Sequence, residues 1–351
     1  MRFIQTKSPR DDDTSFKEDI LIMPIVSTGN VGQLAVDLFL STGLSQVREP
    51  PSSPLARVGY LDTDLVVPAA GYEVFGPGQP PRLCVNLELF RLASKRVTIL
   101  QQRAPVLPGE EEKFAEELVL WARKEGFKEI LALAGADAAQ GLEPTPFGHA
   151  RLKSFRAGTT LMPRKKEKEP GSPRPCELEE ALRCKGVSGL DLQQAMADGW
   201  PMDSMGLAVE SVPDLSGLEL EETTMRRGGE DEADLLAQEM EVRHFHSNRS
   251  KTARYPPLPT GTGISRYLCK EASLESGESP PLPLVVLMHF CGEGDNTPHA
   301  ITMADVVNSS LKLFSDGDMM GSSLSGGGVR WTSPLSWASL YGPPPEADAY
   351  L

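Results

Sequence analysis

The segment LIMPIVS, Leu21 to Ser27, constrains the fold of this chain more than any other feature. A short apolar run bounded by turn residues is the pattern of a buried strand. A helix follows it. Gly29 and Gly32 bracket a tight turn, and Leu34, Ala35, Leu38 and Leu44 recur near helical spacing until Gly43 and the proline-rich REPPSSP end the pattern. Buried strand, turn and helix together make one unit of an α/β fold.

The same alternation continues. ARVGYLDTDLVVPAAGY extends the sheet, and RLCVNLELFRL places Leu83, Val85, Leu87 and Leu89 on one side of a single strand by its period of two. RVTILQQ is its expected partner strand. Glu110 to Glu125 reads as a helix, with Glu110, Glu111 and Glu112 at its positive end, Arg123 and Lys124 at its negative end and Gly126 after it. Phe114, Leu118 and Trp121 form its core stripe. KEILALAGA returns to the sheet, so the alternation through Ala136 predicts a layered α/β domain with helices on the sheet faces.

From about Arg164 to Pro257 the composition changes. RKKEKEPGSPRP is charged and proline-rich, MRRGGEDEAD is charged and glycine-rich, and such segments have little to bury. Residues 164–257 are therefore expected to be a low-order insert between two parts of one domain, 1–163 and 258–342. Within it CELEEALRC and ADLLAQEMEV have helical patterns too short to stand alone, so they need the main domain or a partner to pack on. PLVVLMHF, Pro283 to Phe290, is a second buried strand. Thr297 is placed to cap the next helix with Pro298 at its first position, and Ala300, Ala304, Val307, Leu311 and Phe314 line one face. RWTSPLSWASLYG, with Trp331 and Trp337, is expected to fold back onto the body. Residues 343–351 leave it as a proline-stiffened tail.

Charge narrows the range of partners. The chain carries 49 acidic and 35 basic residues, a formal net charge of -14, whereas a surface that tracks phosphates needs clustered Lys and Arg. Neither a nucleic-acid nor a membrane partner is expected: no stretch runs 18 apolar residues and the amino terminus has no secretory core. A cytoplasmic and nuclear location follows as the expectation. Cys84, Cys176, Cys184, Cys269 and Cys291 are scattered, without a C-x-x-C pair, and read as reduced thiols.

Reactive chemistry is hard to find. Gly29-Asn30-Val31-Gly32 between strand and helix invites a phosphate, because amides at a helix amino terminus bind anions, but it matches neither a Walker loop nor a dinucleotide fingerprint. Close packing of the turn is the competing explanation. Glu293 and Asp295 could ligate a hard cation, yet directly before a helix amino terminus carboxylates and Asn296 are favoured by the dipole and the unpaired amides alone. His244 and His246 lack cysteine partners at zinc spacing. No G-x-S-x-G or H-E-x-x-H occurs. The residues nominate no catalytic, cofactor-binding or metal-binding set, and no cofactor is expected.

LIMPIVSTGNVGQLAVDL, VGYLDTDLVVPAAG, Thr145-Pro146-Phe147, FCGEGDNTPHA and RWTSPLSWASLYGPPP occur in an order that resembles the proteasome assembly chaperone family. The likeness runs from Leu21 to about Phe155 and from about Leu258 to Pro345, and is absent from the insert. It implies a three-layer α/β domain similar to nucleoside phosphorylases but used for binding, not turnover. It also implies a heterodimer with proteasome assembly chaperone 1 that binds 20S proteasome α subunits, guides formation of the α ring and prevents off-pathway ring dimers. Gly29, Asn30, Gly32 and Gln33, with Glu293, Gly294, Asp295 and Asn296, match family motifs of structural type. Ala349, Tyr350 and Leu351 match the hydrophobic-Tyr-X ending by which proteasome-binding proteins enter pockets of the outer ring, where an aromatic ring and a carboxylate make a small anchor. The alternative class is a phosphate- or nucleotide-binding α/β enzyme that uses the Gly29 to Gly32 turn.

Overall fold

The computed structural model describes residues 1–6, 15–45, 55–75, 80–140, 152–157, 177–185, 187–189, 258–274, 281–314 and 329–339. Along the chain run strands β1 (Arg2–Gln5) and β2 (Ile20–Pro24), helix α1 (Val31–Ser45), strands β3 (Ala56–Asp62), β4 (Ala70–Glu73), β5 (Arg82–Val85), β6 (Glu88–Leu92) and β7 (Val97–Gln101), and helix α2 (Glu111–Glu125). Strands β8 (Glu129–Asp137) and β9 (Leu152–Ala157) follow, then helix α3 (Glu177–Cys184), strand β10 (Ser188–Gly189), helix α4 (Ser265–Ser273), strand β11 (Leu284–Cys291) and helix α5 (Thr297–Leu311).

Nine strands form one mixed sheet in the order β1-β3-β6-β7-β2-β8-β11-β9-β10, while β4 and β5 make a separate two-stranded ribbon. The centre is parallel: β2 pairs with β7 and β8, and β8 with β11. Because successive side chains on a strand point to opposite faces, the continuous apolar runs of β2, β8 and β11 supply two cores. Leu21, Met23, Ile130, Ala132, Leu284 and Val286 face α2 and α4 with Phe114, Leu118 and Leu268. Ile22, Leu131, Leu133, Val285 and Leu287 face α1, α3 and α5 with Leu38, Phe39, Leu182 and Met303. Two helical layers on one buried sheet make the three-layer α/β architecture expected from the sequence.

Asp19, fully buried just before β2, accepts a two-pronged ion pair from Arg91 of β6 (2.7 and 3.1 Å) and a 2.8 Å hydrogen bond from Thr98 of β7. The paired oxygens let a charge sit where an isolated carboxylate would be strongly disfavoured.

Four local expectations change. RLCVNLELFRL is two strands, because Leu87 adopts a left-handed conformation (φ 57°) and Asn86 ties the bend, its Oδ1 accepting from the N–H groups of Leu87 and Arg103. VVPAAGY does not stay in the main sheet, since Ala70–Glu73 leaves it for the ribbon. Helix α1 passes through Gly43 to Ser45: a Cβ there would come 2.8 Å from Leu55, so the glycine serves contact with that neighbour. Asn296, and not Thr297, is the residue before the last helix, and the Thr297 N–H is taken by Asp295 Oδ1 at 2.9 Å.

Inside the 164–257 segment, CELEEALRC is helix α3. It packs Leu178 and Leu182 into the second core and lies against α5, the support that a helix of eight residues needs. ADLLAQEMEV lies outside the described residues. Trp331 returns the last part of the chain to the body by packing edge-on against Phe39 (5.6 Å) and Phe314 (6.1 Å) and donating to Asp305 at 2.7 Å.

Candidate functional site

The two glycine- and carboxamide-bearing motifs, some 260 positions apart, meet at the carboxyl ends of β2, β8 and β11. In open α/β sheets that edge is where ligands commonly bind. Where the two motifs meet, protein fills it. A Cβ at Gly29 would lie 2.5 Å from Asn296 Nδ2 and 2.9 Å from Cys291 Sγ, and one at Gly32 would lie 2.1 Å from the Leu133 carbonyl oxygen. Gly135 meets the Thr28 carbonyl in the same way, at 1.8 Å. Gly29 also holds a left-handed φ of 67°, and Asn30 one of 52°, conformations that Gly and Asn adopt most readily.

The remaining motif residues fasten this junction. Asn296, 2% exposed, donates from Nδ2 to the carbonyls of Gly292 (2.9 Å) and Gly294 (3.2 Å), and its Oδ1 lies 2.8 Å from His299 Nδ1. Gln33 Nε2 donates to the Gln102 carbonyl at 2.9 Å. Glu293 is exposed, as is Asp295, whose hydrogen bonds from Thr297 hold its carboxyl below the usual carboxylate range. Among the described residues no group of three or more His, Cys, Asp or Glu comes together to hold an ion. Burial pushes the Cys291 thiol up to about 11, away from the thiolate that a nucleophile needs.

A second cluster was not anticipated from the sequence. It lies beneath the β4–β5 ribbon. Asp37 of α1 accepts from Gln101 Nε2 at 2.5 Å and pairs with Arg103 at 3.5 Å. Burial raises its pKa despite the opposing attraction of Arg103 and the Gln101 bond. Glu73 of β4 accepts from the Val74 N–H (2.9 Å) and from Ser336 Oγ (2.5 Å), which joins the ribbon to the turn Leu335–Ser339. Arg57 reaches from β3 to the Leu83 carbonyl (3.2 Å) and to Glu88 (3.0 Å). Burial, with Glu88 close by, pushes the Cys84 thiol up to about 11. The signal in the sequence was a scarcity of charge: Glu73 and Arg82 are the two charged residues from Val66 to Leu87, in a chain that is 24% charged.

Ala349, Tyr350 and Leu351 lie outside the described residues, as do Cys176, His149, His244 and His246. The four described cysteines, Cys84, Cys184, Cys269 and Cys291, are free thiols. No helix among the described residues is long and apolar enough to cross a membrane.

The fold and the filled strand-end junction define a three-layer α/β protein whose glycine motifs are packing devices. The chain belongs to the PAC2 family, whose model matches residues 21–224, more than half of its length. It is similar to proteins named proteasome assembly chaperone 2. The Danio rerio protein is 26% identical over 341 residues, covering 95% of this chain and 96% of its own. The Homo sapiens protein is 24% identical over 331 residues, covering 92% and 91%. Among solved structures, Pyrococcus furiosus PbaA, described as an archaeal homolog of proteasome-assembly chaperone, is 15% identical and aligns over 86% of this chain and 84% of its own with a TM-score of 0.45.

Proposed function

We propose that this protein is a chaperone for assembly of the 20S proteasome core particle. It binds α subunits as a heterodimer with proteasome assembly chaperone 1, promotes formation of the α ring and keeps rings from pairing off-pathway, in cytoplasm and nucleus. Binding is its activity, with no substrate turned over. The observation that carries the reading is the similarity to proteins named proteasome assembly chaperone 2 over more than nine-tenths of both chains. Ala349, Tyr350 and Leu351 supply an anchor to the ring, and Gly29, Asn30, Gly32, Gln33 and Glu293 to Asn296 hold the scaffold.

The alternative, an enzyme with a phosphate cradle at Gly29 to Gly32, draws no support from the packing. A cradle uses glycine so that a ligand can approach the backbone; here Asn296, Cys291 and Leu133 occupy that space. A substitution at Gly32 collides with Leu133 under either reading, so the discriminating measurement belongs on the unaltered chain. Calorimetric titration with nucleotides and inorganic phosphate should show no saturable uptake. Saturable uptake with turnover of a nucleoside would replace the chaperone reading with the enzymatic one. Tagged full-length protein, recovered from cells and resolved on native gels, should carry α subunits and a second, related chaperone chain.

A further inference from the structure

The β4–β5 ribbon is inverted with respect to an ordinary solvated ribbon. Its register pairs Ala70 with Val85, Gly71 with Cys84, Tyr72 with Leu83 and Glu73 with Arg82. Residues opposite one another share a face, and neighbours along a strand alternate. Glu73 and Cys84 are buried over the Asp37 cluster, while Tyr72 is 76% and Leu83 51% exposed. A ribbon stabilised only by its own domain keeps apolar residues inside and polar ones outside.

Exposed large apolar side chains are concentrated here. Five are present among the described residues, Val67, Tyr72, Leu83, Leu120 and Leu335, and four of them belong to this region. Tyr72 and Leu83 form the outer face of the ribbon. Val67 stands at its base, held by a 3.1 Å bond from Asn86 Nδ2 to its carbonyl. Leu335 adjoins β4 through its N–H on the Val74 carbonyl, at 3.2 Å. A grouping of this kind marks an interaction surface, whereas single exposed apolar residues do not.

We propose that the outer face of the β4–β5 ribbon, with Leu335, is the surface that docks on the α subunits, beside the point from which the tail departs. The occupant is a protein face with an apolar centre. Charge speaks against a second copy of this chain. In a chain of net charge -14, the described residues of this face carry no charge, since Glu73 and Arg82 pair on the opposite face, where Ser336 binds Glu73. Two like-charged copies of the whole chain would repel one another. The position of the tail gives the direction, and here the proposal rests on the chaperone reading. The turn Leu335–Ser339 is bonded to β4, and the twelve residues 340–351 follow it. An extended chain covers at most about 3.5 Å per residue, so a partner that takes Tyr350 lies within about 40 Å of the ribbon.

The test uses the full chain co-expressed with proteasome α subunits. The double variant Tyr72→Ser/Leu83→Ser should recover at least tenfold less α subunit than the unaltered chain, with the same thermal midpoint. Leu120→Ser, an exposed apolar site on α2, should recover as much as the unaltered chain. Hydrogen exchange at residues 70–85 of the unaltered protein should slow in the complex, a readout that needs no variant. Equal recovery by the double variant, with unchanged exchange at 70–85, overturns the docking surface while leaving the chaperone reading intact. Loss of pairing with another chaperone chain, or of self-association, with capture of α subunits retained, assigns the face to a different occupant and likewise overturns the proposal. Failure of the unaltered chain to bind any α subunit overturns both.

Discussion

The strand-end junction and the β4–β5 ribbon use short glycine-bearing segments for opposite purposes. At the junction Gly32 and Gly135 bring backbone against backbone, Gly29 makes room for the Asn296 and Cys291 side chains, and the adjoining side chains are spent on internal hydrogen bonds. In the ribbon Gly71 touches nothing within 4 Å of a would-be Cβ, and the apolar side chains point outward. A motif that stands out in a sequence can therefore mark a place with no spare room, while a working surface stands out by breaking the rule that apolar residues go inside.

The strongest way to break this comparison is a paired glycine substitution. Gly32→Val should cost about 3 kcal/mol or more, because even its Cβ cannot fit beside the Leu133 carbonyl. Gly71→Ala should stay within about 0.5 kcal/mol, the usual range for open surface sites. Urea titrations of the two variants compare them directly, and equal losses would erase the distinction. Trp331→Ala comes next. Its ring is partly buried against Phe39 and Phe314, so the loss should be about 2 to 3 kcal/mol, below the roughly 3 to 5 kcal/mol of fully buried aromatic truncations. Faster proteolysis of residues 329–339 should accompany it if this segment is held chiefly by that ring.

Removing Ala349 to Leu351 should leave the unfolding midpoint unchanged and weaken attachment to the α ring about tenfold to hundredfold, the equivalent of burying one aromatic ring. Co-purification of α subunits at matched salt reads this, and unchanged recovery would make the ending incidental. The smallest effect concerns Asp37. Its pKa in the folded chain is raised by burial, so its contribution to stability is greatest below the unfolded value of 3.8 and is lost as pH rises through the folded value. Asp37→Asn removes that decline. Urea midpoints should show the unaltered chain losing stability relative to the variant as pH increases from about 4, and parallel curves would show that Asp37 titrates as it does in the unfolded chain.

The layers of the fold were legible because their cause is local. The apolar runs at Leu21 and Leu284 and the stripe Phe114, Leu118, Trp121 follow from the periods of strand and helix, the runs feeding both cores and the stripe the first. The bend at Asn86 and Leu87 was not legible. Leu83, Val85, Leu87 and Leu89 keep perfect alternation across it, and the break comes from the tertiary bonds of Asn86 to Arg103 and to Val67. That hidden bend is what turns Leu83 outward, so the ribbon surface was hidden with it. The motif loops were visible individually, but their meeting across the sheet depends on the parallel placement of β2, β8 and β11, which local pattern does not specify.

The most direct measurement of the central claim is native-gel analysis of full-length protein purified by affinity from cells, with each co-migrating chain identified. The chaperone account predicts incomplete core-particle assemblies containing α subunits, together with a second chaperone chain. Recovery of mature particles alone, or of no proteasome subunit at all, would contradict it.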